Sequence, residues 1–146
     1  MEQTLSVKTL VELRVAIKIS QQEVADAVGM HLHDYGAIER TGMCDAPTSD
    51  RIARAILEMQ KARLENARQA ETVSELAKVR KASRISLALL ASTTDMTIHD
   101  VWTAFRQKVG TAYPSVVVKL KKAIILINSD RLTTIRNAVD AILAAC

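Results

Sequence analysis

Aromatic side chains are nearly missing from this sequence: one Trp, two Tyr and one Phe among 146 residues. Chain breakers are as sparse, with four Gly and two Pro. What lies between them is rich in Ala, Leu, Ile, Lys, Arg and Glu, residues that favour helix, so an all-α protein is expected. The two cysteines, Cys44 and Cys146, stand far apart without CxxC spacing, which argues against a disulfide framework and a zinc knuckle. No basic-then-apolar segment opens the chain, and its most apolar run, 123–127, is too short for a bilayer; a soluble, cytoplasmic protein without a membrane partner is expected. A glycine-rich phosphate loop and a nucleophile in a recognisable motif are also missing, and paired carboxylates occur only on solvated helical faces. Neither an enzyme nor a bound cofactor is expected.

The apolar content of 49% is enough to bury a core. The net charge of +4 is unevenly placed: residues 1–73 carry nine basic and eleven acidic side chains, the remainder eleven and five. A field that attracts polyanions therefore belongs to the second half.

Shifting the sequence by 66 residues lays 6–40 over 72–106 with 11 of 35 positions identical, among them Leu10/Leu76, Arg14/Arg80, Ser20/Ser86, Ala25/Ala91, His33/His99 and Arg40/Arg106. After a two-residue insertion, RIARAIL from Arg51 falls over KLKKAII from Lys119. This points to two copies of one helical unit, 1–66 and 67–146. Each copy shows the same order of signals. Ser6 or Thr72 caps a first helix; Ser20 or Ser86 caps a second; Gly29 or Asp95 supplies the left-handed residue that ends it. A third helix follows at once, with Tyr35 and Ile38, or Val101 and Ala104, directed inward. The stretch 58–71, EMQKARLENARQAE, has only scattered apolar residues and is expected to be a solvated helical connector. The last segment, 131–145, strings Leu132, Ile135, Val139, Ile142 and Leu143 along one stripe, for packing on its own domain or on a second subunit.

Through LVELR, SQQEVADAVGM, IERTG and DRIARAI, the first copy resembles the Cro/cI-like (XRE) family of helix-turn-helix DNA-binding domains between Leu10 and Leu57. The second copy is similar to a diverged member, mainly by way of the first. The resemblance implies two tandem lambda-repressor-like helix-turn-helix units joined by the connector. It also implies a sequence-specific regulator of transcription, a repressor of phage or mobile-element type, that binds a double-stranded DNA operator as a homodimer. It further implies an ion pair between Arg14 and Glu39. In the second copy Arg80 remains, but Phe105 stands where the glutamate was, so a different packing is expected there.

In such an arrangement Ser20, Gln21 and Gln22 form the phosphate-facing start of the second helix, and His31, His33 and Arg40 occupy the outward turns of the third. Gly36 and Ala37 would allow close approach to a duplex. Asp34 would repel phosphate unless it caps the third helix, and a cap is expected because Asp100 recurs at the same place. A metal site on His31 and His33 is disfavoured, since residues two apart on a helix diverge. In the second copy Arg84 and Arg106, with several lysines, are candidates for phosphate contact. There Trp102 takes the place of Gly36, and Trp102 with Phe105 reads either as repacked core or as an interface anchor for another subunit or protein. The rival to DNA binding is a protein-binding module, antiactivator or antitoxin-like, that docks another regulatory protein through this third helix.

Overall fold

The computed structural model describes residues 2–106 and 114–144. These form eight helices and no strand: α1 (Glu2–Ala16), α2 (Gln21–Val28), α3 (Leu32–Thr41), α4 (Ala46–Gln69), α5 (Val73–Ala82), α6 (Leu87–Thr94), α7 (Ile98–Arg106) and α8 (Pro114–Ala144). None of them is long and apolar enough to cross a membrane.

The 66-residue offset reappears in backbone geometry. The pairs α2/α6 and α3/α7 begin 66 residues apart. Left-handed backbone recurs at Lys18 (φ 59°) and Arg84 (φ 50°), and again at Gly29 (φ 74°) and Asp95 (φ 62°). The first of these turns has a local cause. Ile19 N–H donates to the Arg14 carbonyl and Lys18 N–H to that of Val15; Ile85 and Arg84 repeat both bonds on Arg80 and Lys81. This is the Schellman closure of a helix, with the next residue, Ile19 or Ile85, driven into the core at 1% exposure. At the second turn Gly29 adopts φ > 0 without steric conflict, whereas Asp95 must hold a side chain there. Left-handed strain costs an ordinary residue about 1–2 kcal/mol and aspartate less, against roughly 0.5–1 kcal/mol of extra unfolded-state entropy for glycine. Asp95→Gly is therefore expected to stabilise the second unit by about 0.5 kcal/mol, read as a small rise in the midpoint of chemical unfolding.

Capping matches the sequence signals at three helices. Ser20 accepts from Glu23 N–H at 3.1 Å and Ser86 from Leu89 N–H at 3.1 Å, while Thr72 and Glu75 form a reciprocal capping box. The first helix does not start at Ser6 as expected: α1 begins at Glu2, and the side chain of Ser6 lies outside those described.

By its internal contacts the chain divides into two compact units, Met1–Gln60 with Arg131–Cys146, and Lys61–Asp130. The first is built from α1, α2, α3, the first part of α4 and the last part of α8. Its core joins Leu10, Ile17, Ile19, Val24, Ala25, Val28, Tyr35, Ile52 and Ile56 to Ile135 and Val139. Ala25 is fully buried, as a tight helix crossing demands. The second unit holds the rest of α4, α5, α6, α7 and the first part of α8, around Leu76, Ile85, Leu90, Val101, Leu120 and Ile124.

Two expectations need correction. A division after residue 66 assigns the final segment to the second unit, whereas Ile135 and Val139 complete the core of the first; Ile142 and Leu143 lie outside the residues whose side chains are described. Nor is the connector solvated. Residues 58–69 continue α4, but Gln60, Arg63, Leu64 and Ala67 are buried at i, i+3, i+4 and i+7, followed by Ala70. Two polar members hide that stripe from a hydropathy reading. The repeat extends into these long helices with an offset of 68: Ile52/Leu120, Ile56/Ile124 and Gln60/Asn128 are all buried pairs. Asn128 satisfies its buried amide by donating to Ser83 Oγ and the Ile124 carbonyl, each at 3.2 Å.

Candidate nucleic-acid interface

Within the first unit, α2 and α3 meet through a polar knot. Arg14 of α1 donates through Nε to Glu39 Oε2 at 2.7 Å and through Nη2 to Oε1 at 2.9 Å, with its third nitrogen on the Ile19 carbonyl at 2.7 Å. The structure thus brings together the two residues of the expected pair, in bidentate form, with side-chain exposures of 11% and 8%. Gln21 of α2 adds a third bond, Nε2 to Glu39 Oε1 at 2.8 Å, and the buried Tyr35 hydroxyl a fourth. One carboxylate at the end of α3 therefore fixes both α1 and the start of α2. Gln21, read from sequence as a phosphate ligand, gives an amide N–H to this knot and keeps its second.

Burial alone would raise the Glu39 carboxyl; hydrogen bonds from Arg14, Tyr35 and Gln21, with the Arg14 charge, outweigh it and hold the group below its ordinary value near 4.5. A depressed acid adds stability that is complete above the unfolded value and is lost as pH falls through the folded one. Acid titration followed by circular dichroism is thus expected to show the first unit loosening below about pH 4.5, and Glu39→Gln should flatten that dependence while lowering stability at neutral pH.

The equivalent place in the second unit keeps the cation and exchanges its surroundings. Arg80 Nη1 donates to the Ile85 carbonyl at 2.8 Å, the same bond that Arg14 makes to Ile19. Its guanidinium carbon lies 5.5 Å from the centroid of Phe105, which stands where Glu39 does, and its buried Nε has no acceptor. Leu87 replaces Gln21, and both Leu87 and Phe105 pack on the second core. Acid and amide have become aromatic and aliphatic together. The expectation of a different packing is met in the partners of Arg80 and not in its placement.

The outward residues of α2 and α3 divide by exposure. Ser20 is half-buried at its cap; Gln22 is exposed and donates to Asp26 Oδ1 at 2.7 Å. His31 is the backbone cap residue of α3, and His31, His33 and Arg40 are all exposed. Asp34 makes no cap: it sits in the first turn, and no side chain caps α3, whereas in α7 it is Thr97 that accepts from Asp100 N–H at 3.1 Å. Asp34 keeps only the favourable dipole position. Gly36 lies mid-helix, and a Cβ added there would meet nothing within 4 Å. The outer face of α3 is therefore open at its middle.

In the second unit Arg84 and Arg106 are exposed, the latter with its guanidinium carbon 4.5 Å from the Trp102 ring centroid. Trp102 is 42% exposed, but Phe105 is turned inward, so only one of the two proposed anchors faces solvent. Among the described residues no group of three or more His, Cys, Asp or Glu side chains converges as a metal site would need. No family model, curated protein or solved structure matches this chain.

Proposed function

We propose that the chain is a DNA-binding transcriptional regulator, a repressor by simple occupancy of its operator, whose first unit engages a duplex through the start of α2 and the outer face of α3. The observation that carries this reading is the knot on Glu39: it holds a capped helix start and an open, polar helix face in a fixed relation, which is what joint phosphate and base contact requires. Ser20 Oγ accepts from Glu23, and its proton remains a donor for phosphate. Gln22, His31, His33 and Arg40 offer donors to phosphate or base edges, and Gly36 and Ala37 leave room for the groove to come close.

The experiment is selection of duplexes from a random pool with the full chain, followed by affinity measurement in graded salt. An enriched motif and a steep fall of affinity with salt support the reading. Equal, weak binding of all sequences, or none at low salt, sinks it.

A protein-binding module remains the second reading, favoured by one feature: at the positions where the first unit presents Gln22 and Gly36, the second presents Ala88 and Trp102. Adding negative charge with Gln22→Glu and Arg40→Glu separates the two. It abolishes operator binding in the first case and leaves a partner of the second unit undisturbed.

A further inference from the structure

Inside the second unit, the end of α4 and most of α5 leave a cleft of about 330 Å³ between them. That is the lower end of the range for small-molecule clefts, roughly 300–1,000 Å³. Its floor is apolar: Ala70 is 3% exposed and Val79 9%, with Ala82 at the edge. Its rim is polar, with Asn66 on the α4 side and Glu75 and Lys78 on the α5 side.

The polar groups of the rim are not used up by the fold. Glu75 closes the capping box of α5 with one oxygen: the Thr72 N–H and hydroxyl both donate to Oε1, and Oε2 remains open. Lys78 follows one turn later on the same helix, a spacing at which opposite charges commonly pair. Yet among the described residues the Lys78 ammonium and the Asn66 amide have no partner, and the Glu75 carboxylate stays with Thr72. Nor is this set a by-product of the repeat. At the 66-residue offset Thr9, Glu12 and Leu13 stand where the second unit has Glu75, Lys78 and Val79.

The two charges choose among occupants. A simple anion meets Glu75, a simple cation meets Lys78, and an uncharged apolar molecule takes water from both without replacing it. A zwitterion with an apolar body gives each group its complement. Positions three apart on a helix hold their Cβ atoms about 5–6 Å from one another. The ammonium and carboxylate of one α-amino acid can therefore be reached by both side chains at once.

We propose that this cleft binds a free aliphatic α-amino acid, with its ammonium on Glu75, its carboxylate on Lys78 and the Asn66 amide, and its side chain on Ala70 and Val79. A cleft of exposed polar groups, not an enclosed cavity, sets a dissociation constant on the order of 1 mM. The site lies wholly in the second unit and involves no DNA, so its failure leaves the operator reading of the first unit standing.

The amide NMR spectrum of the full chain tests this. L-leucine added to about 20 mM, some twentyfold above that constant, is expected to move the amides of 66–70 and 75–82 along saturable curves. Leucinamide, which lacks the carboxylate, and isocaproate, which lacks the ammonium, should each bind about tenfold more weakly. Lys78→Gln should bring leucine down to the level of leucinamide and leave leucinamide unchanged. Glu75→Gln, which still closes a capping box, should do the same against isocaproate. Val79→Leu imports the residue of the first unit and should weaken all three ligands by filling the floor. The proposal is overturned by any of three results: no saturable shift at that concentration, equal affinity for the three ligands, or a Lys78→Gln variant that still favours leucine over leucinamide. Binding to Val79→Leu as tight as to the parent would likewise place the ligand elsewhere.

Discussion

Arg14→Met is expected to destabilise the first unit by about 3 kcal/mol, while Arg80→Met, at the equivalent place in the second, costs about 1 kcal/mol. The two arginines make the same bond to the backbone carbonyl five residues on, so that loss is common to both. What differs is the group left behind. Without Arg14 the carboxylate of Glu39, 8% exposed, is held in a half-dry site by Gln21 and Tyr35 alone. Without Arg80 the ring of Phe105 loses a cation over its face, and no charge is stranded. Denaturation of the full chain, with hydrogen exchange to report each unit separately, distinguishes the two sites. Equal losses would mean that Glu39 draws little from its guanidinium. Pairing Arg14→Met with Glu39→Leu should recover the part due to the stranded carboxylate and not the part due to the Ile19 carbonyl and Tyr35 hydroxyl, which lose their partners.

Gly36→Trp is expected to lower affinity for the selected operator by at least about 100-fold, roughly 2.7 kcal/mol, with little effect on folding. A Cβ at position 36 meets no neighbour within 4 Å, so the helix has room where a larger side chain begins. What it does obstruct is the approach of a groove floor to the middle of α3. Gly36→Ala is the finer probe. Helix interiors disfavour glycine by about 0.5–1 kcal/mol relative to alanine, and no neighbour lies within 4 Å, so alanine should stabilise the free protein by about that amount. If α3 comes close to DNA, the same methyl weakens binding. A variant that is both more stable and as tight as the parent would show that the middle of α3 does not approach a duplex, and the DNA contact would have to be sought elsewhere.

The reading of the sequence succeeded where a residue's own chemistry decides its role. Ser20, Ser86 and Thr72 cap because a short hydroxyl fits an orphan N–H; Gly29 and Asp95 are left-handed because the following helix starts at once. The internal offset carried further than composition, since it aligned Lys18 with Arg84 in a backbone conformation neither side chain announces. It failed where burial depends on what an element meets. Gln60 and Arg63 look like solvent-facing positions, yet they lie on the buried stripe of α4 with Leu64 and Ala67. Periodicity shows that Ile135 and Val139 face inward, but not which core receives them. The bond from Gln21 to Glu39 is not legible for a related reason: a glutamine at a helix start is as apt for a neighbouring carboxylate as for phosphate. The sequence did hold the signal, because Gln21 and Glu39 change together to Leu87 and Phe105. Trp102 and Phe105, three apart, are neighbours on α7, yet Trp102 is 42% exposed while Phe105 packs on the core, a distinction that an apolar stripe conceals.

The first unit is discontinuous along the chain, and this bears on how it is born. Ile52 and Ile56 emerge from the ribosome long before Ile135 and Val139, which share their core. Until those arrive, an early-made apolar surface stays uncovered, open to chaperones or to premature aggregation. A fragment ending near residue 66 would keep the residues of the Glu39 knot and lack that seal, so its failure to fold would say nothing against the operator contacts of the intact molecule.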